Sequence, residues 1–318
     1  MQPSISIIVP VFNASGFLER CLTSIMEQSF TDWECIIIDD GSTDGSSQIC
    51  DSFKSKDTRF RVFHKENGGV SSARNMGIGL AIGQWVYFVD ADDVLYYDSL
   101  ETLFALTEED VDSVIGGYAR VDTNGKELST TGKVITEMAD WQMLALHFYY
   151  PFHGMFYGYL PIRLMRLDVI KKNNLLFRED IHVKEDGLFG VQFICASKKK
   201  GIYHTKPIYK YTVNPDSMME SIERKYNPKY LTDLDACIYI YETIKKSGCK
   251  NFKALFFARM YVCTMFNNVV TYMKKYNQDE DYIVREMRKK TIDSVSYPFF
   301  LLMQLKNMIK RFLKKKLL

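Results

Sequence analysis

Short hydrophobic runs alternate with amphipathic segments along the first ninety residues of the chain. The runs at 5–11, 33–38, 60–63 and 85–89 are largely apolar, as in strands that are buried on both faces of a sheet. Between these runs, apolar residues recur every three or four positions, which is the spacing of one helix face. The alternation predicts an α/β fold with a Rossmann-like, mostly parallel sheet that is flanked by helices.

The pattern changes after residue 113. The dipeptide Asn124-Gly125 follows two short apolar stretches and favours a tight hairpin turn. Three later segments have helical spacing: 141–150, 164–172 and 186–196. From residue 225 onward, helical spacing continues with one glycine and two prolines, which predicts a C-terminal helical appendage. We therefore divide the chain into a sheet domain, 1–220, and a helical region, 221–318.

The 318 residues carry a formal net charge of +2, but the basic residues are unevenly placed. The last thirteen residues contain six basic residues and no acidic one, so the rest of the chain is mildly acidic. This distribution argues against nucleic acid as a partner. The seven cysteines are scattered without a Cys-x-x-Cys pair, which indicates reduced thiols and a cytoplasmic protein. Neither a signal peptide nor an apolar run of membrane-spanning length is expected.

Acidic side chains follow two of the predicted strands at the point where each strand ends. Asp39-Asp40 follow the second strand, and Asp90-Ala91-Asp92-Asp93 follow the fourth. Because ligands bind outside the carboxyl ends of parallel strands, both clusters are expected at one binding edge. Three carboxylates within four residues repel one another, and Mg²⁺ or Mn²⁺ would relieve that repulsion. The alternative is an acidic turn that caps the helix predicted to begin near Asp98.

Three further positions could carry chemistry. Arg74 lies on the first turns of the helix that follows the loop Asn67-Gly68-Gly69, where it can pair with an anion or a nucleobase carbonyl. The pair Glu185-Asp186 begins another predicted helix, and taken alone it is compatible with acids that complement a helix dipole. His204 is either an additional metal ligand or a solvent-facing residue of a strand.

In their order, these segments resemble the motifs of the family 2 glycosyltransferases, which are inverting enzymes with the GT-A fold that use nucleotide-diphosphate sugars. The resemblance covers about residues 4–220 and continues to Tyr209-Lys210-Tyr211. The motifs that carry it are Pro10-Val11-Phe12-Asn13, Asp39-Asp40-Gly41-Ser42-Thr43-Asp44, Gly69 with Ala73-Arg74-Asn75, Asp90-Ala91-Asp92-Asp93, and Glu185-Asp186. The resemblance implies that 1–110 holds the nucleotide sugar and that 111–220 holds the acceptor.

The resemblance also implies how the donor is bound. Asp40 would hydrogen-bond the nucleobase, typically uracil. Pro10, Phe12 and Asn13 would line the same pocket. Arg74 would lie near the base or the ribose.

The resemblance assigns the chemical step to carboxylates farther along the chain. Asp92 and Asp93 match the family's metal motif for Mn²⁺ or Mg²⁺, and Asp90 is the first acid of that motif. One of these three would bind the cation and another would hold the ribose or the sugar. Asp186 matches the catalytic base, which would take a proton from the acceptor hydroxyl. Lys184 stands before this pair, where the family more often has a small residue.

The C-terminal tail has two faces when it is placed on a helix. The apolar face consists of Leu302, Leu305, Met308, Ile309, Phe312 and Leu313, and the opposite face of Lys306, Lys310, Arg311 and Lys314. The apolar face could dock on the protein body. We favour an interfacial helix on an anionic membrane, because lysines without acids suit such a surface.

The sequence therefore predicts a metal-dependent inverting glycosyltransferase that uses a nucleotide sugar, with a UDP-sugar favoured. The acceptor would be a saccharide or a lipid-linked oligosaccharide in bacterial surface polysaccharide synthesis. Peripheral attachment to the inner face of the cytoplasmic membrane is expected. A metal-dependent nucleotidyltransferase and a non-catalytic sugar-nucleotide binding protein are the alternatives.

Overall fold

The computed structural model describes residues 2–131, 134–147, 159–214, 222, 224–278 and 281–316, and it describes the backbone alone for residues 146, 147 and 308–316. Ten strands form one sheet. They are β1 (Ile5–Val11), β2 (Trp33–Asp39), β3 (Phe60–His64), β4 (Trp85–Phe88), β5 (Val94–Leu95), β6 (Val111–Val121), β7 (Glu127–Thr130), β8 (Thr136–Ala139), β9 (Arg163–Arg166) and β10 (Lys200–Thr212).

Helices flank this sheet and form the C-terminal part of the molecule. Within the described residues the α-helices are α1 (Ser15–Met26), α2 (Ser46–Lys56), α3 (Val70–Leu80), α4 (Ser99–Phe104), α5 (Trp141–His147), α6 (Leu167–Lys172), α7 (Glu185–Ser197), α8 (Thr232–Lys246), α9 (Phe252–Lys275), α10 (Asp281–Val295) and α11 (Tyr297–Lys316). Short 3₁₀ turns at Leu160–Ile162 and Pro228–Leu231 precede β9 and α8.

The strand order is β3-β2-β1-β4-β9-β6-β10-β5, with β7 added to β6 and β8 added to β10. The first four strands of this order are parallel. Strand β9 is antiparallel to both β4 and β6, whereas β6 and β10 are parallel. The predicted α/β sheet flanked by helices is confirmed. Its parallel part is the first half, and antiparallel strands complete the second half.

Most predicted elements are found at their predicted places. Strands β6 and β7 pair across the turn at Asn124-Gly125, where Gly125 adopts the left-handed φ of +83°. The helix predicted over 164–172 is wrong in its first part, because Arg163–Arg166 forms β9 between β4 and β6. The last residues of the helix predicted over 141–150 lie outside the described residues.

Strand β1 lies at the centre of the parallel half, and all seven of its residues are buried. Helix α3 packs closely on it because position 77 is a glycine. A Cβ atom at Gly77 would lie 2.5 Å from Cγ2 of Ile8, well inside a normal contact. This close approach fixes α3, and with it Arg74, at the edge where β1 and β4 end.

Helix α7 lies between two hydrophobic cores. Phe189, Phe193 and Ile194 pack with the core of the sheet. Leu188 and Val191 pack into a second core that α8 to α11 build. The C-terminal helices are therefore joined to the sheet through the helix that begins with Glu185 and Asp186. The division at about residue 220 stays a prediction.

Helix α11 contacts the body through one face and exposes the other. Phe300 and Met303 are 1% and 4% exposed in the second core, whereas Leu302 and Leu305 are 60% and 50% exposed. The apolar stripe predicted from the sequence thus begins on the outward face. Among the described residues no helix is long and apolar enough to cross a bilayer.

Candidate active site

A cleft of about 760 Å³ opens at the carboxyl ends of β1, β2 and β4. One wall is formed by 10–14 at the end of β1, Asp40 after β2, 67–71 at the start of α3, and 90–92 after β4. The opposite wall is made of residues from much later in the chain: Glu179, Ile181, His182, Asn214 and Lys229. The cleft therefore joins the parallel edge to the C-terminal helical region.

Asp40 organises the loop at one end of the cleft. Its carboxylate is buried, and Oδ1 accepts hydrogen bonds from Nζ of Lys65 at 2.6 Å and from the Gly68 N–H at 2.9 Å. Oδ2 accepts from the Gly69 N–H at 2.7 Å. A carboxylate has about four acceptor positions, so Asp40 can hold this loop and still accept a bond from a ligand in the cleft.

Phe12 and Asn13 lie at the same end of the cleft as Asp40. The Phe12 side chain is 52% exposed and offers an apolar surface at the rim. Asn13 has the left-handed φ of +48°, and its Oδ1 accepts a hydrogen bond from the Thr43 N–H at 2.8 Å. The Asn13 side chain thus ties the loop after β1 to the loop after β2, while the residue itself lines the cleft.

The structure buries Arg74 between two carboxylates. Nη2 donates to Oδ1 of Asp90, and Nη1 donates to Oε1 of Glu185, both at 2.9 Å. The guanidinium also lies 5.4 Å from the ring centre of Phe177. Arg74 was predicted near the base or the ribose. The structure shows that Arg74 joins the acidic turn after β4 to the start of α7, and its place near the base or the ribose stays a prediction.

The three acids after β4 are placed differently. Asp90 and Asp92 line the cleft, whereas Asp93 is 1% exposed. Both Asp93 oxygens are engaged: Oδ2 accepts from the Tyr209 hydroxyl and Oδ1 from the Thr212 N–H, each at 2.7 Å. Asp92 and Asp93 are both predicted for the cation, and this placement favours Asp92 as the direct ligand. Asp93 anchors the turn to β10 and so supports Asp92.

The cleft-facing acids have the character of a cation site. Burial first, and then the neighbouring Asp90, raise the pKa of Asp92 to about 6. Nearby carboxylates that repel one another gain stability when a divalent cation lies between them and a diphosphate. Among the described residues, no three His, Cys, Asp or Glu side chains are placed so that together they could hold one metal ion. The arrangement fits a cation held by one or two carboxylates together with ligand oxygens, as is usual for Mg²⁺.

Asp186 begins α7 beside this turn. Its Oδ1 accepts a hydrogen bond from the Gly187 N–H at 2.6 Å. Burial first, and then the adjacent Glu185, raise the pKa of Asp186 to about 7, while Arg74 opposes the shift. A carboxylate with a pKa near the working pH is suited to accept a proton from a hydroxyl group.

The cleft brings together six of the predicted residues: Pro10, Phe12, Asn13, Asp40, Asp90 and Asp92. Asp186 is linked to them through Glu185 and Arg74. The sequence analysis missed Lys65, although a lysine directly after β3 was a signal for the edge where the other motifs lie. His204 bonds Thr136 on β8 at 2.7 Å, as expected for a strand residue.

Several known proteins are similar to this chain in sequence. The sequence model of the family described as "Glycosyl transferase family 2" matches residues 6–172. The uncharacterized glycosyltransferase EpsJ of Bacillus subtilis is 32% identical over 227 residues, which cover 69% of this chain and 64% of EpsJ. The poly(ribitol-phosphate) beta-N-acetylglucosaminyltransferase TarP of Staphylococcus aureus is 30% identical over 247 residues, covering 76% of this chain and 72% of TarP.

A solved structure extends the likeness across most of the chain. The S. aureus TarS fragment 1–349 in complex with UDP has a TM-score of 0.61 and 18% identity, covering 92% of this chain and 89% of that one. This likeness concerns the fold, and it confirms the GT-A fold that the resemblance implied. The chain spans less than two thirds of the length of the first curated relatives that it matches.

Proposed function

The chain belongs to glycosyltransferase family 2, and from this premise we propose that it moves a sugar from a nucleotide-diphosphate sugar to a hydroxyl group of a saccharide or lipid-linked oligosaccharide. The observation that carries the proposal is the series of contacts that leads from the cleft to Asp186, the proposed catalytic base. Asp90 lines the cleft, Arg74 joins Asp90 to Glu185, and Asp186 follows directly. These contacts support a site where the donor and the catalytic base Asp186 would meet and where a single displacement with inversion would occur.

The donor would bind with its nucleobase at the end of the cleft that contains Asp40. Asp40 and the backbone of 67–69 offer hydrogen bonds to a pyrimidine, and the exposed Phe12 offers an apolar face. A UDP-sugar is favoured because the TarS structure similar in fold contains UDP. An N-acetylhexosaminyl donor is a particular candidate, because TarP is named an N-acetylglucosaminyltransferase.

The diphosphate would lie at Asp92. When bound there, Mn²⁺ or Mg²⁺ would stabilise the negative charge that develops on the leaving group. Arg20 holds the turn in place by donating to the backbone oxygen of Asp92 at 2.9 Å. Asp90, which Arg74 orients, would hold the ribose or the transferred sugar.

Asp186 would take the proton of the acceptor hydroxyl as the oxygen attacks the anomeric carbon. Its raised pKa favours this role near neutral pH. Nucleotidyl transfer, the first alternative, is not the reaction of this family. A non-catalytic sugar-nucleotide binding protein would keep the donor site without turnover, so the experiment has to measure both.

Donor binding is measured first, by thermal shift with UDP-N-acetylglucosamine, UDP-glucose, UDP-galactose and GDP-mannose, each with and without Mn²⁺. Nucleotide release with and without acceptor is measured next. Asp186→Asn should lower kcat by about 10²–10⁴-fold, because general-base catalysis is lost, and leave the donor Kd unchanged. Asp180→Asn is the control, since Asp180 forms an exposed ion pair with Arg178 in the segment before α7. Donor binding without turnover would instead support the binding protein.

We further propose that the enzyme works at the cytoplasmic face of an anionic membrane, in surface polysaccharide synthesis. Leu302 and Leu305 project from the outward face of α11, and the sequence beyond them is rich in lysine. Phe252 on α9 is 75% exposed and stacks on Phe256, which contacts Phe299 of α11. Apolar side chains beside lysines are suited to the boundary between headgroups and acyl chains.

A further inference from the structure

The segment 181–184, which leads into Asp186, is held by the first residue of α8. The Thr232 hydroxyl oxygen accepts hydrogen bonds from the His182 N–H at 3.0 Å and the Val183 N–H at 3.2 Å. The same hydroxyl donates to the backbone oxygen of Lys229 at 2.7 Å. One side chain of the C-terminal region thus occupies two consecutive backbone donors of the segment.

The next residue of α8 holds the end of the same segment. Nζ of Lys184 lies 2.6 Å from Oδ1 of Asp233, whose side chain is buried. The ammonium group also lies 5.0 Å from the ring centre of Tyr261 on α9. Asp233 receives a further weak bond from the Cys237 thiol at 3.6 Å. The C-terminal region therefore surrounds the Lys184 side chain with a carboxylate and an aromatic face.

Lys184 has an unusual backbone conformation for this position. Its φ is +64°, in the left-handed region, and α7 begins with the following residue. A non-glycine residue keeps this conformation only where its surroundings hold it. Because Glu185 and Asp186 come next, the direction in which α7 starts depends on how Lys184 is held.

We propose that Thr232, Asp233 and Lys184 are positioning residues that aim the Asp186 carboxylate at the acceptor hydroxyl and keep Glu185 on Arg74. The helical region is then part of the active site. The inference rests on the proposed function of Asp186 as the base. It goes beyond that function because it assigns a role in transfer to residues that do not contact the donor.

Because α7 and α8 also pack through apolar side chains, the positioning role can be tested without unfolding the protein. Leu234 and Cys237 of α8 pack with Leu188 and Val191 of α7 in the second core. This apolar contact remains when a polar contact at the start of α8 is removed. Loss of the polar contacts should therefore loosen 181–184 while α8 stays docked.

The test uses the full chain with Thr232→Val, Thr232→Ser and Asp233→Asn, and with Asp235→Asn as the matched control. Asp235 lies on the same helix and pairs with Lys290 at 3.3 Å on the surface. Thr232→Val and Asp233→Asn should lower kcat by about tenfold to a hundredfold, since small misplacements of a catalytic group have such effects. The donor KM and the UDP affinity from calorimetry should stay within about twofold, because Asp40 and Asp92, the side chains proposed to hold the nucleotide, make no contact with Thr232 or Asp233.

Rescue distinguishes positioning from damage. Thr232→Ser keeps the hydroxyl and should restore kcat to the wild-type range, and Asp235→Asn should not change it. If Thr232→Val and Asp233→Asn turn over like wild type, or lose donor affinity as much as kcat, the inference is overturned. A wild-type chain that neither transfers nor hydrolyses any nucleotide sugar would overturn the proposed function, and the inference with it.

Discussion

The carboxylates at the two ends of the cleft have opposite surroundings. One end surrounds Asp40, where we propose that the nucleotide binds, and we call it the nucleotide end. There, Asp39, Asp40 and Asp44 each accept several hydrogen bonds from nearby donors. Although burial alone would raise it, bonds from Ser42, Ser47 and His64 lower the pKa of Asp39. Their hydrogen bonds fix these side chains before any ligand arrives.

The other end lies around Asp90 and Asp186, where we propose that the sugar is transferred, and we call it the transfer end. Five carboxyl groups gather there: Asp90, Asp92, Asp93, Glu185 and Asp186. Arg74 is paired with two of them. Burial and mutual repulsion raise the pKa values of Asp92, Asp93 and Asp186.

We relate this difference to two tasks, donor binding at the nucleotide end and reaction at the transfer end. An end whose charges are already satisfied holds a ligand with little rearrangement. An end with excess negative charge has affinity for a cation and for a proton, and both are needed when a diphosphate leaves and a hydroxyl attacks. The predictions below alter one end at a time.

The largest effect is expected from Asp92→Asn. It removes the cleft-facing acid assigned to the cation, so donor affinity in Mn²⁺ should fall by about a hundredfold, and the gain from adding Mn²⁺ should disappear. Calorimetric titration of UDP with and without Mn²⁺ measures both. Tyr209→Phe, which removes one hydrogen bond from the buried Asp93, should give a smaller loss. An unchanged Mn²⁺ dependence in Asp92→Asn would place the cation elsewhere.

The next effect concerns pH. Asp186 accepts a proton only when it is ionised, and its pKa is raised to about 7. The value of kcat/KM should therefore rise with pH through about 7 and level off above it, falling about tenfold per unit on the acid side. The stability of the fold depends on the protonation of Asp186 in the opposite direction from kcat/KM. Protonated Asp186 favours the folded state, so its stabilising contribution is complete below about pH 4 and is lost as the pH rises through 7.

Initial rates across pH at low donor concentration measure this profile. The residual activity of Asp186→Asn provides the reference, since it should lack the acid limb. A profile of wild type that stays flat between pH 5 and 8 would contradict the assignment of Asp186.

A smaller effect is expected at the nucleotide end from Lys65→Met. The substitution leaves the buried Asp40 without its cation, which should lower the free energy of unfolding by about 1.5–3 kcal/mol and weaken UDP binding a few fold. The value of kcat at saturating donor should not change. Lys206→Met is the control because Lys206 and Asp98 form a half-exposed pair, whose loss should cost less than about 1 kcal/mol. A drop in kcat as large as that in donor affinity would contradict the division between the two ends.

The nucleotide end could be predicted from sequence because its residues follow from local rules. Asn13 and Asp40 come after apolar strands, and parallel strands bring such positions to one edge. The transfer end depends on partners that arrive from far along the chain. Arg74 meets Glu185 from 111 residues away, and Asp93 meets Tyr209 from 116 residues away. No local pattern specifies those partners.

Prediction of secondary structure from local sequence has the same limit, as strand β9 shows. Its residues continue into α6 with helical spacing, so the pattern alone predicts one helix over 164–172. Pairing with β4 on one side and β6 on the other makes 163–166 a strand, because tertiary contacts override a short local preference. The lysine at position 184 could likewise be seen in the sequence, but its partner on α8 could not.

The last prediction concerns α11 and should leave the transfer end unaffected. A chain that stops after Gln304 keeps Phe300 and Met303, which pack in the second core, and loses Leu305 together with the six terminal basic residues. Such basic residues contribute about 1 kcal/mol each near an anionic surface. The truncated chain should fail to sediment with vesicles of phosphatidylcholine and phosphatidylglycerol that bind the full chain.

Salt and the choice of acceptor test whether attachment and catalysis are separate. Binding of the full chain should weaken as ionic strength rises and should be absent with phosphatidylcholine alone. Turnover with a water-soluble acceptor should be the same for both chains, because the cleft and α7 lie upstream of the cut. Leu302→Ser tests the apolar part, since that side chain is exposed and its loss should weaken vesicle binding without lowering the melting temperature. If the shortened chain binds vesicles as well as the full chain, α11 is a structural helix, and the membrane surface has no part in where this enzyme works.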